Sequence, residues 1–122
     1  MMIYTSYFGK IRKLSEDIVP ISICGKAPEW YNGLEYKTLA PKYDFFMQYK
    51  QDHDTAKYTE SYYDRVLRDL LHHKVLLDLM RMSKGKDVCL LCYERPDEFC
   101  HRHIVCKWLN DYGIKCKEYE FY

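Results

Sequence analysis

The first apolar stretch, Met2-Ile3-Tyr4-Thr5-Ser6, is short and rich in β-formers, and it reads as a strand. Eleven mixed residues separate it from a second run, Ile18-Val19-Pro20-Ile21-Ser22-Ile23-Cys24, which Gly25 stops. Pro20 has no N–H for a ladder, which places this strand at a sheet edge or Pro20 near its beginning. Residues 26–41 show no period. Their Ala-Pro-Glu-Trp-Tyr-Asn-Gly-Leu-Glu-Tyr composition reads as an ordered loop pinned by aromatics, and long loops in small domains are often functional.

A helical period begins at Tyr43. Residues 43–51 predict a short helix and 58–71 a longer one, with Tyr58, Tyr62, Val66 and Leu70 in one stripe and Tyr63 and Leu67 beside it. Glu60, Asp64 and Arg68 repeat at i,i+4 on another face. A third helix over 75–82 buries Val75, Leu76, Leu79 and Met80 and stops at Ser83-Lys84-Gly85-Lys86. Residues 87–93 are nearly all apolar, as in a strand covered on both faces. After a turn at Arg95-Pro96-Asp97 the pattern is helical to about Tyr112, where Gly113 closes it, and 114–119 alternates as a last strand. Strands interleaved with helices imply an α/β layered, Rossmann-like fold, a small and mostly parallel sheet flanked by helices, in one domain over residues 1–122.

Ligands of a parallel sheet bind outside the carboxyl ends of the strands. Three segments fall there: Thr5-Ser6-Tyr7, Cys24-Gly25-Lys26 and Cys92-Tyr93-Glu94. The third continues as Cys92-x-Glu94-x5-Cys100-His101-Arg102, from a strand end through a turn into a helix start. With Asp97 as the expected N-cap, Cys100 and His101 occupy a first turn whose unpaired amides and dipole favour an anion or a thiolate. His101, Ile104, Val105, Trp108 and Tyr112 share the inward stripe, whereas His103 aligns with Lys107 and Asn110 and is expected to face solvent.

The stretch Leu90-Leu91-Cys92-Tyr93-Glu94-Arg95-Pro96, followed by Cys100-His101-Arg102, resembles the signature of the bacterial and phage proteins of domain-of-unknown-function family 488. That resemblance implies a compact α/β fold with a polar pocket around Cys92, Glu94, Cys100, His101 and Arg102, and it names no reaction. Longer relatives carry Asp-x-Arg at the end of the second strand. Here the region reads Ser22-Ile23-Cys24-Gly25-Lys26, so a carboxylate is missing and Lys26 supplies charge without arginine's bidentate fork. The short form with Ala-Pro-Glu-Trp-Tyr-Asn-Gly is similar to phage and prophage members.

Each residue has a chemical and a structural reading. Cys100 is a reactive thiolate or a small packed residue; Glu94 is a general base, a ligand-orienting carboxylate, or the ion-pair partner of Arg102; His101 is an acid/base or a satisfied buried imidazole. Trp30 and Tyr31 are candidates to stack on a flat ligand, while Tyr58, Tyr62 and Tyr63 read as core. Ser6 and Lys26 join Cys92 and Arg102 as candidate ligand contacts. Cys89-x-x-Cys92 with Cys100, His101 and His103 offers soft metal ligands, but side chains three apart on a strand point to opposite faces, so neither a metal nor another cofactor is expected.

Composition narrows the partners. The 122 residues carry 19 Lys plus Arg against 18 Asp plus Glu, a net charge of +1 that gives no global field for nucleic acid or acidic membranes. No run is long enough for a membrane span and the start lacks a signal-peptide pattern, so a bacterial or phage-infected host cytosol is expected, where the six cysteines stay reduced. The expected partner is a small anionic, nucleotide-like ligand, either processed by Glu94, His101 and Cys100 or sequestered without reaction. A protein-interaction module built on the tyrosines is the third class. The oligomeric state is not legible.

Overall fold

Cys-Leu-Leu-Cys at the end of an apolar run takes the centre of the sheet. The structure, a computed structural model, describes residues 1–120. Its five strands are all parallel, in the order β3-β2-β4-β1-β5: β1 (Ile3–Tyr7), β2 (Ile18–Ser22), β3 (Leu34–Glu35), β4 (Asp87–Cys92) and β5 (Cys116–Glu118). Four helices accompany them: α1 (Tyr43–Asp52), α2 (Thr55–Tyr62), α3 (His72–Ser83) and α4 (His101–Asp111). The α/β layering implied by interleaved strands and helices is therefore present. β4 is hydrogen-bonded by β1 on one edge and β2 on the other, and Val88 through Cys92 are all buried. Such a strand has no solvent face to alternate toward.

Pro20 illustrates how the edge is managed. The Ile23 N–H donates to the Leu91 carbonyl at 3.2 Å, so by alternation the odd-numbered amides of β2 face β4 and position 20 faces the other edge. There β3 pairs only Ile21 and Ser22, and Pro20 costs the ladder nothing.

Several boundaries differ from expectation for local reasons. Residues Phe8–Lys13 and Lys37–Leu39 are short 3-10 helices. α2 begins early because the Asp54 carboxylate accepts the Lys57 N–H at 3.0 Å, and it runs into a π turn (Tyr63–Leu67) closed by Arg68 N–H to Tyr63 O at 2.8 Å. In α3 the buried stripe is Val75, Leu79 and Ser83; Met80, expected inside, is exposed. α4 starts four residues after Asp97, with Cys100 at the N-cap. The Glu98 N–H bonds the Arg95 carbonyl at 3.0 Å while its carboxylate accepts the Arg95 N–H at 3.3 Å, which closes a turn and delays the helix. At the other end Gly113 takes φ +85° and lets the Ile114 N–H reach back to the Leu109 carbonyl at 3.0 Å. Among the described residues, no helix is long and apolar enough to cross a membrane.

Candidate functional site

At the carboxyl end of β4 three segments converge: Cys92 itself, the turn after β2 at Ile23-Cys24, and the first turn of α4. The Ser22 hydroxyl accepts the Cys24 N–H at 3.3 Å, bending the chain as β2 ends and turning the Cys24 thiol to the Leu91 carbonyl at 3.7 Å. Cys100 at the N-cap makes no side-chain cap bond, and its sulfur instead lies 3.9 Å from Nδ1 of His101. The His101 Nε2–H donates to the Ile23 carbonyl at 2.8 Å, since a carbonyl can only accept. That bond leaves Nδ1 without an oxygen partner, and the Cys92 Sγ lies 3.6 Å from both ring nitrogens. The thiols of Cys24 and Cys100 and the Glu94 carboxyl lie close enough around Cys92 and Cys100 to shift one another's ionisation.

The cluster is enclosed. Cys24, Cys92, Cys100 and His101 are buried, and Glu94, half-buried, is its least covered member. Tyr62 stacks at 6.3 Å on Tyr58 and places its ring 5.6 Å from that of His101, while its hydroxyl donates to the Leu39 carbonyl. Phe99 packs edge-on against Tyr58 at 5.3 Å and thereby carries the aromatic wall to the residue before Cys100. The amide end of α4, expected to open into a hollow, is packed with these side chains.

Burial and charge divide the thiols. Burial drives Cys92 well above the usual thiol range, and its contacts with Cys100 and Cys24 push the same way. Burial opposes ionisation of Cys100 too, yet hydrogen bonds from Cys92 and His101 and the charges of His101 and Arg102 outweigh it and hold this thiol well below its ordinary value. For His101, burial favours the neutral ring, but the bond to Cys100 and its negative charge win and raise the imidazole. Glu94 is pushed up to about 7, first by burial and then by the Cys100 charge.

Arg102 has a different task. Its Nε donates to Glu118 Oε1 at 3.1 Å and its Nη2 to Glu118 Oε2 at 2.9 Å, a bidentate pair, while Nη1 donates to the Glu94 backbone carbonyl at 2.7 Å. The Thr5 hydroxyl completes Glu118 at 2.6 Å. The Glu94 carboxylate is thus not the partner of Arg102, as one reading allowed; β5 supplies that partner. Arg102 fixes the Glu94 loop through its backbone, and the guanidinium expected to grip an anion is already committed to protein atoms.

The remaining candidates lie around the rim or on the far face. Register pairs Ser6 with Leu91 and Leu91 with Ser22, so Ser6 shares their sheet face, opposite to that of Cys92 and α4. Its buried hydroxyl is without a hydrogen-bond partner. Lys26 is exposed, and its carbonyl accepts the Tyr93 hydroxyl. Trp30 and Tyr31 join Phe8 and Tyr93 in an aromatic cluster, with Tyr31 5.3 Å and Trp30 6.1 Å from the Phe8 ring. Tyr31 is held by its hydroxyl on the Leu34 carbonyl at 2.6 Å, and burial raises it to about 12; Trp30 is 57% exposed. His103 does not face solvent as expected: it is half-covered, and its Nε2 is buried without a partner.

A family model described as the active DUF488-N3 subclade, DUF488-N3a, matches residues 7–113. The chain belongs to the DUF488 family. The matched span of this DUF488 protein holds Cys24, Cys92, Glu94, Cys100 and His101, whereas Ser6 and the Arg102 partner Glu118 lie outside it. No curated protein and no solved structure matches the chain.

Sequence reasoning set the Cys24-Gly25-Lys26 segment at the strand ends without singling out Cys24, and it missed Tyr62 and Glu118 as parts of the arrangement. Each lies far along the chain from the Cys-His-Arg element and is brought there by strand order or helix packing. Cys24 bears most on cofactors, because its sulfur, the Cys92 sulfur and a ring nitrogen of His101 lie within 4.8 Å of one another. The strand-parity argument against Cys89 with Cys92 holds, since they are three apart on β4, but it left Cys24 unconsidered.

Proposed function

We propose that this DUF488 chain is a small-molecule enzyme of the thiol type, acting on a small anionic, nucleotide-like substrate. Cys100 is the nucleophile, and Glu94 and His101 move the protons. One observation carries the reading: the Cys100 sulfur, on the N-cap residue of α4, lies 3.9 Å from Nδ1 of His101 and near enough to the Glu94 carboxyl for its charge to raise it. A nucleophile needs such neighbours, one to take its proton and one to protonate the departing group as the new sulfur bond forms. The helix N-terminus favours negative charge beside it. Glu94 is the least buried of the group, so substrate enters past it, next to the half-exposed Tyr93 whose hydroxyl bonds the Lys26 carbonyl. The description of the matching subclade as active accords with catalysis.

A second reading draws on the burial of Cys100 and His101: a phage- or prophage-encoded protein that sequesters a signalling nucleotide in a bacterial or infected-host cytosol, without turnover. A screen of adenosine and guanosine mono- and diphosphates and ribose 5-phosphate separates the two. Enzyme action predicts a compound that raises the melting temperature of wild type and Cys100→Ala alike and is turned over by wild type alone, with Glu94→Gln slower by about 10²-fold. Equal turnover by Cys100→Ala overturns the nucleophile, and stabilisation of wild type without turnover favours sequestration.

A further inference from the structure

Two buried sulfurs that the thiol mechanism does not use, those of Cys24 and Cys92, form a donor set with the imidazole that it shares. We propose that Cys24, Cys92 and His101 bind a single soft d10 cation, zinc(II), through two sulfurs and Nδ1. Three observations support this.

The three ligand atoms lie within 4.8 Å of one another and all belong to buried residues. A tetrahedral zinc with bonds of about 2.3 Å to sulfur and about 2.05 Å to nitrogen sets sulfur and nitrogen about 3.6 Å apart. The Cys92 sulfur is 3.6 Å from both ring nitrogens of His101, so the separation already suits a shared ion and a turn of the ring brings the Nδ1 lone pair onto it.

The tautomer is also set. A metal-bound histidine characteristically donates its other ring N–H to a carbonyl or carboxylate, which fixes the ring and makes the bare nitrogen a better ligand. Here Nε2–H donates to the Ile23 carbonyl at 2.8 Å, from the residue beside Cys24, so one turn supplies both a ligand and the outer-sphere bond that aims another. Finally, the donors come from three separate places, the turn after β2, the end of β4 and the start of α4. Two thiolates and one imidazole make a soft site of the kind zinc occupies with its fourth position open, and Cys100 and Glu94 are the next groups out. An exposed cluster of acids would not carry this argument; here no carboxylate belongs to the set.

The proposal does not depend on Cys100 being a nucleophile, because it uses three other residues. Reduced protein, stripped with chelator, is titrated with cobalt(II) as a spectroscopic stand-in and then with zinc(II). The expected result is one equivalent bound, with sulfur-to-cobalt charge-transfer absorption in the near ultraviolet, tetrahedral visible bands, and displacement by zinc. Cys24→Ala should weaken binding by at least about tenfold and lose part of the charge-transfer intensity. Cys89→Ala, which removes the Cys-x-x-Cys partner that sequence would suggest, should leave both unchanged. Circular dichroism of each variant checks folding, and the wild-type titration decides even where a variant fails to fold. Absence of stoichiometric binding to wild type, a spectrum without sulfur ligation, or equal loss on Cys89→Ala and Cys24→Ala overturns the proposal.

Discussion

Two consecutive residues of α4 carry buried charge in opposite ways. Arg102 meets Glu118 through two parallel N–H to oxygen bonds and gives a third to Glu94 O, while the Thr5 hydroxyl donates to Glu118. His101, one residue earlier, has a single conventional hydrogen bond, to Ile23 O, and otherwise faces sulfur. The Arg102 network gives every guanidinium nitrogen a partner and ties β1, α4, β5 and the Glu94 loop together. The His101 network is unsaturated, holds a thiol pushed down and a carboxyl pushed up, and can still exchange a proton or accept a ligand. One helix turn is thereby divided into a half that holds and a half to which the proposed chemistry is assigned.

The largest expected effect breaks the holding half. Arg102→Met strands Glu118 in a partly covered site and should cost about 3–5 kcal/mol in urea unfolding, and Arg102→Met with Glu118→Met should recover most of it. Full stability in the single variant would show that the pair is not what fastens β5. Next, His101→Gln should slow alkylation of Cys100 at pH 7 by about tenfold or more, because the thiolate loses its hydrogen bond and its positive neighbour. An unchanged rate would move Cys100 into the structural half.

A smaller effect sharpens the boundary between the halves. The Glu94 carboxyl titrates near 7 in the folded chain against an ordinary 4.5, so folding favours its protonated form. Its contribution is present below about 4.5 and is lost as pH rises through 7. In metal-free protein the stability difference, wild type minus Glu94→Gln, should therefore fall between these values and be flat above; a flat difference throughout would mean that Glu94 is solvated. Smallest of all, Cys106→Ser should alter stability by about 1 kcal/mol or less and leave Cys100 reactivity unchanged, since Cys106 is half-buried and contacts Cys116 and Asn110 rather than the cluster.

How much of this the sequence disclosed follows chain distance. Cys92, Glu94, Cys100 and His101 lie within ten residues on one strand–turn–helix passage, so local pattern places them together. The apolar run of β4 and the stripe of α4 were legible for the same reason. The Cys24 segment was placed at the strand ends but its contact with Cys92 was not legible, nor was Glu118, because these depend on β4 inserting between β2 and β1 and on β5 pairing beyond β1, an order that no local period encodes. β3 is only Leu34 and Glu35, both exposed, too short for any alternation to show. The N-cap moved from Asp97 to Cys100 because Glu98 completes a competing turn, a contest between two reasonable local structures. Tyr62 was recognised as core, and only packing shows that the core it joins includes His101.

The central claim is that chemistry, not exposure, makes Cys100 the reactive thiol. Site-resolved mass spectrometry of native, reduced, metal-free protein after brief treatment with iodoacetamide compares all six cysteines at once. The account predicts that Cys100, 3% exposed, is labelled before the half-buried Cys106. Labelling of Cys106 first, with Cys100 modified only on unfolding, would contradict it.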